Sequence, residues 1–254
     1  MKAIILGLAA ERLSAAERRF FQAIAPAGFI LFKRNCQSPE QVRALTGELR
    51  DCLGWAAPIL IDQEGGRVQR LAPPVWAARP APGTFRAMAE VDVGAAARAA
   101  YLNAAVMAAE LSALGIDVNC VPDLDLAFPE AASAVVGDRS YGDDPVQVVA
   151  LGRAVADGTL AGGALPVIKH LPGHGRGVVD SHFDLPRIDA APADLEVSDF
   201  LPFRALADLP LAMTGHLLMS AYDTARPATT SPTVIERVIR GWMGFDGLLM
   251  SDDL

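Results

Sequence analysis

Four histidines and a scattered set of acids carry most of the chemistry this sequence can do. The histidines are His170, His174, His182 and His216, and three of them fall in one stretch, KHLPGHGRGVVDSH. Imidazole changes protonation near neutral pH. Three such rings in one glycine-rich segment point to acid–base work, ligand contact or metal binding. Asp180 stands two residues before His182, where a carboxylate can hold one ring nitrogen, fix the tautomer and stabilise the imidazolium. The plainer alternative is an Asx turn beside a solvent-facing histidine. His170 and His174 are four apart, as in a helical zinc pair. Pro172, Gly173 and Gly175 oppose a helix there, so the two rings need not converge.

Two acidic groupings stand beside the histidines. Asp252 and Asp253 close the apolar run GLLMSD-D, and alternation along a strand aims them differently, so one of them faces a site. IDQEGGRVQRL (residues 61–71) carries Asp62, Arg67 and Arg70 around the pair Gly65-Gly66, which allows a turn other residues resist. Asp and Arg together offer acceptors and donors for a polyhydroxylated ligand; alone they could form a surface ion pair of little consequence. Lys169 beside His170 is either part of the same site or a buried pair that orients the loop. No G-x-S-x-G elbow, P-loop, H-E-x-x-H or C-x-x-C occurs.

These residues need elements to hold them. Apolar runs rich in Ile, Val and Leu recur at KAIIL, GFILF, PILID, GIDVNCV, PVIKH, LAMTGH and GLLMSD. Continuous apolar runs suit strands buried on both faces, as in parallel sheets. The first, which has a faint signal-peptide look, is better taken as a strand because Glu11 and Arg12 follow so soon. Helical segments with start signals lie between the runs. Ser14 with Glu17, and Ser38-Pro39 with Gln41, form capping boxes. Val42, Leu45, Leu49 and Cys52 then share one helix face. Asp144-Pro145 and Ser231-Pro232 repeat the device, and AAARAAYLNAAVMAAELSAL is strongly helical.

Repeated strand–helix units mean an α/β domain. No G-x-G-x-x-G opens a helix after an early strand, and GHGRG is an irregular loop. Polar residues sit at the C-terminal ends of several strands: Asp62, then Asp123 and Asp125, then Lys169 and His170, His216 and Asp252. In a TIM-type (β/α)8 barrel those ends converge on one face. Seven strands are counted, so a barrel of eight would need one more helix–strand unit, roughly 30 residues. The expectation is a single catalytic barrel domain over residues 1–254, lacking its last unit.

The bulk numbers agree. The chain has 254 residues, 52% hydrophobic and 20% charged, enough for one large core. A net charge of −8 argues against nucleic acid as a partner. No stretch is apolar enough to span a membrane. Three cysteines without a zinc spacing read as reduced thiols.

Four segments resemble a known family. IDQEGGRVQRL, GDRSYGDDP, KHLPGHGRGVVDSHFDLP and GFDGLLMSDDL are similar, in order, to the bacterial β-N-acetylhexosaminidases of glycoside hydrolase family 3, the peptidoglycan-recycling type. The likeness runs from GFILFKRN to the last residue, and family members continue beyond the SDDL motif. The resemblance implies a TIM-type barrel that needs no metal or other cofactor. It implies Asp252 as nucleophile, His182 as general acid/base and Asp180 as its orienting partner. It implies Asp62, Arg70, Arg139, Lys169 and His170 as sugar-binding residues. The implied activity is exo-acting removal of terminal β-linked N-acetylglucosamine from 1,6-anhydromuropeptides. The setting would be cytoplasmic and the partner a saccharide, with a monomeric enzyme, no nucleic acid and no membrane. Two rivals remain at this stage: a sugar-binding remnant without turnover, and a metal-dependent barrel hydrolase using the histidines.

Overall fold

A computed structural model describes residues 1–128, 136–177 and 185–254. All seven expected strands form: β1 (Lys2–Leu6), β2 (Pro26–Leu31), β3 (Ile59–Ile61), β4 (Val118–Asn119), β5 (Leu165–Leu171), β6 (Leu211–Thr214) and β7 (Leu248–Ser251). They make one sheet in strict sequence order. Every neighbouring pair is parallel. Each connection must therefore return the chain to the start of the next strand, and helices do this. They are α1 (Ala15–Ile24), α2 (Pro39–Leu53), α3 (Val93–Ala113), α4 (Pro145–Ala161), α5 (Leu201–Ala205) and α6 (Val234–Trp242).

The sheet curls in the manner of a TIM-type barrel. Ile5, Ile30, Leu60, Val118, Cys120, Val167, Leu211, Met213 and Met250 meet in one apolar cluster, so all seven strands contribute to the same interior. A flat sheet could not bring β1 and β7 side chains together. The helices pack outside. Val42, Leu45, Leu49 and Cys52 of α2 are buried as their spacing predicts. On α3 the stripe Ala96, Ala100 and Ala104 faces α4, where Gly158 permits close approach. A Cβ on Gly158 would lie 2.3 Å from the Tyr101 carbonyl oxygen.

The start signals behave unequally. Ser14 and Glu17 close a complete capping box at α1. At α2, Ser38 accepts from the Gln41 N–H as expected. The Gln41 side chain instead accepts from the Gln37 N–H and donates to the Glu11 and Asn35 carbonyls. Those distant acceptors compete successfully with the local box. α6 follows Ser231-Pro232, but its backbone is π-helical, not α-helical. All three cysteines are free thiols, as their number and spacing suggest. No helix among the described residues is long and apolar enough to cross a membrane.

Candidate active site

The C-terminal ends of the strands converge. Asp62 follows β3. The next residues form a small hairpin, Gln63–Gly65 against Val68–Gln69, which turns Glu64 and Arg70 back over the barrel mouth. Gly65 and Gly66 both have positive φ, and a Cβ on Gly65 would lie 2.2 Å from the Pro80 carbonyl oxygen. The buried Gln63 side chain holds the hairpin by accepting from the Arg70 and Leu71 N–H groups. Asn119 extends the β3–β4 ladder, exchanging side-chain hydrogen bonds with the Gln63 backbone.

On this frame six predicted residues meet. Lys169, only 2% exposed, donates to Asp62 at 3.0 Å. Its Nζ also lies 2.7 Å from a Glu64 oxygen. The other Asp62 oxygen pairs with Arg70 at 3.1 Å. Arg139 grips Glu64 through two bonds of 2.9 and 2.8 Å. It also reaches Asp123 at 3.3 Å and the His170 Nε2 at 3.5 Å. His170 donates from Nδ1 to Asp125 at 2.7 Å, and its Nε2 lies 3.9 Å from an Asp252 oxygen. Asp62, Arg70, Arg139, Lys169, His170 and Asp252 therefore share one cluster. Asp180 and His182 lie outside the described residues.

Three residues of the cluster carried no assigned role at the sequence level: Glu64, Asp123 and Asp125. All are at least 96% buried, and each would be costly there without partners. A signal for them existed. Glu64 is two residues from Asp62, and Asp125 two from Asp123, the period that puts side chains on one face of an extended segment.

The charges are strongly coupled. Burial works to raise Glu64, but Lys169 and then Arg139 outweigh it and hold it below the usual carboxylate range. Asp62 is lowered in the same way by Lys169 and Arg70 against its burial. Burial opposes the charge on Lys169, yet Asp62 and Glu64 hold its pKa above the ordinary value. Asp123 and Asp125 divide. Burial and then the Asp125 charge push Asp123 up to about 7, while His170 overcomes burial at Asp125 and draws it down to about 2. Asp125 in turn outweighs burial at His170 and raises it. At His174 burial outweighs the pull of the Asp125 charge, and the His170 charge adds to it, so its pKa is lowered.

Asp123, Asp125 and His170 place ligand-type atoms within 4.8 Å of one another. The Arg139 guanidinium already lies beside Asp123, and the His170–Asp125 hydrogen bond occupies two of the three ligand atoms. His170 and Asp125 are thus paired with each other, while the Asp123 Oδ2 lies beside a resident cation but accepts no hydrogen bond. The His170 and His174 rings stand 6.2 Å apart at a steep angle. What the cluster offers instead is a floor of charged donors and acceptors for hydroxyl groups, with a carboxylate at its edge.

The chain matches the family described as glycosyl hydrolase family 3 N terminal domain over residues 4–254. It belongs to this family. It is thus a glycoside hydrolase domain, and the barrel is that family's fold. A β-hexosaminidase of Alkalilimnicola ehrlichii is 42% identical over 253 residues, which is 99% of this chain and 72% of that protein. A β-hexosaminidase of Methylococcus capsulatus is 41% identical over 97% of this chain and 72% of its own length. NagZ from Neisseria gonorrhoeae, solved with N-trifluoroacetyl-D-glucosamine, superposes with a TM-score of 0.93 at 36% identity. It covers 99% of this chain and 74% of that one. In family 3 terms the cluster at the barrel mouth is the candidate active site.

Proposed function

We propose that this domain is a retaining, exo-acting β-N-acetylglucosaminidase. In this reading residues 1–254 form one catalytic unit. It acts in the cytoplasm as a monomer on terminal β-linked N-acetylglucosamine of peptidoglycan fragments, including 1,6-anhydromuropeptides. The observation that carries the reading is the position of Asp252, whose carboxylate stands beside His170 at the edge of the charged floor. Its relatives include β-hexosaminidases and a NagZ solved with a glucosamine derivative, which supports the sugar class.

The chemistry divides among the residues as follows. Asp62, Arg70, Arg139, Lys169 and His170 bind and orient the non-reducing sugar through its hydroxyl groups. Ionised Asp and cationic Lys and Arg make stronger hydrogen bonds to such groups than neutral partners do. Asp252 attacks the anomeric carbon, and the bond to the leaving oxygen breaks through an oxocarbenium-like state. His182 protonates that oxygen, and the sugar is left covalently on Asp252. His182, now neutral, takes a proton from water, which attacks the same carbon and releases Asp252. Asp180 stabilises the imidazolium. A histidine replaces the more usual carboxylic acid donor, and imidazole as a group changes protonation near neutral pH, which suits both roles.

The test is release of the aglycone from an aryl β-N-acetylglucosaminide by folded parent and by Asp252→Asn. Turnover by the parent alone is expected, with N-acetylglucosamine binding retained in the variant. A folded parent that binds the sugar without turnover overturns the enzyme reading. Near-parent turnover by Asp252→Asn removes that residue from the nucleophile's role.

A further inference from the structure

His216 lies two residues past the end of β6, near the candidate nucleophile. Its Nε2 lies 2.9 Å from the Asp253 carbonyl oxygen. Its Nδ1 lies 2.9 Å from the Thr229 hydroxyl. Thr214, the last residue of β6, donates to that same Thr229 hydroxyl at 3.1 Å. A carbonyl oxygen only accepts, so His216 must carry a proton on Nε2. In the neutral ring Nδ1 is then the acceptor, and Thr229 donates to it. In the charged ring Thr229 accepts instead and can donate to the Gly215 carbonyl 3.3 Å away. The bond to Asp253 exists in both states.

Asp253 is in turn bonded to Asp252. The Asp253 N–H donates to the Asp252 Oδ1 at 2.9 Å. The Asp252 N–H donates back to the Thr214 carbonyl at 3.1 Å, closing the register of β7 on β6. One oxygen of the Asp252 carboxylate is thereby occupied. The other, Oδ2, is the one that faces His170.

We propose that His216, steered by Thr229, is a positioning residue for Asp252. It clips the Asp253 peptide so that the Asp253 N–H holds Oδ1 and leaves Oδ2 as the attacking atom. This rests on the reading of Asp252 as nucleophile. The physical need is plain. Asp252 lies one residue past the last register pair of β7, and its N–H makes the last ladder bond, which holds its backbone but leaves its carboxylate unfixed. Yet a nucleophile must be held to within a fraction of an ångström of its line of attack.

The parent, His216→Ala, Thr229→Val and Thr229→Ser test the clip. With an aryl β-N-acetylglucosaminide, His216→Ala is expected to lose roughly 10- to 100-fold in kcat, as a small misplacement of a reacting group does. KM and the affinity for N-acetylglucosamine should stay near those of the parent. The loss should be equal for good and poor leaving groups, because the nucleophile and not the proton donor is displaced. Thr229→Val should lose part of kcat, and Thr229→Ser should restore it. An unchanged kcat in His216→Ala, or a change confined to KM, overturns the clip. If His216→Ala does not fold, Thr229→Val against Thr229→Ser decides, and equal activity of those two overturns it. A second readout is independent of turnover. In 15N-labelled parent the His216 ring should carry its proton on Nε2, and Thr229→Val should shift the Asp253 amide while Thr229→Ser does not. A ring without the Nε2 proton overturns the clip even in a parent that turns over substrate. A folded parent without turnover counts against the glycosidase reading alone, and the ring proton and Asp253 amide then decide the clip.

Discussion

Glu64 shows how much one unassigned side chain can carry. It is 4% exposed, and it bridges Lys169 and Arg139, two cations expected to bind the sugar. Replacing it with Gln keeps the shape but removes the charge that compensates both. Breaking a buried pair by removing one partner typically costs about 3–5 kcal/mol, because the other charge stays buried. Glu64→Gln should therefore reduce the unfolding free energy by an amount of that order, read as a lower urea midpoint. It should also weaken N-acetylglucosamine binding in calorimetry. An unchanged midpoint would mean that Asp62 and Asp123 alone balance the two cations.

At the scale of elements, the site depends on strand ends being brought to one level, and helix packing sets that level. α3 and α4 pack closely, which the alanine stripe and Gly158 make possible. Alanine is the better helix former by about 1 kcal/mol. Here its methyl group would meet the Tyr101 carbonyl, and overpacking usually costs about 1–3 kcal/mol. Gly158→Ala should thus destabilise the fold despite its propensity, by a net of up to about 2 kcal/mol. Chemical denaturation checks this; a stabilised variant would mean that the two helices slide apart freely. Activity per folded molecule should change little, because Gly158 faces Tyr101 and Ala104 of α3 and not a site residue.

At the scale of the whole molecule, the coupled acids make stability depend on pH in two directions. Asp123 is raised in the fold to about 7 from an ordinary value of 3.8. Between those limits the folded state holds a proton that the unfolded chain has lost, so stability falls as pH rises. His170, also raised, adds to that fall as pH passes through its folded value. Asp125 is lowered to about 2, and Asp62 and Glu64 are lowered as well. Their contribution is present above their unfolded values near 4 and is lost as pH drops below them. Urea midpoints measured from pH 3 to pH 8 should therefore decline on both sides. Asp123→Asn, which mimics the protonated acid, should flatten the decline between pH 4 and 7 and leave the acid side unchanged. An identical profile in that variant would remove Asp123 as its source.

The seven strands, the order of helices between them and the barrel class were legible in the chain itself. Burial on both faces of a parallel strand leaves a continuous apolar run, and helix caps are local interactions that a few adjacent residues specify. The motifs also named Asp62, Arg70, Arg139, Lys169, His170 and Asp252, all of which the fold brings to one cluster. Other features depended on groups far apart in sequence. Gln41 left its local box because carbonyls of Glu11 and Asn35 were within reach. The π-helical turn of α6 likewise had no local sign that distinguished it from an α-helix. Glu64 and Asp125 show a two-residue spacing, but their partners, Arg139 and His170, lie 75 and 45 residues away. The sequence by itself determined which residues stand at strand ends. Only the curled sheet decided which of those ends touch, because closing the curl sets the distances between charges, and those distances set which acid keeps its proton.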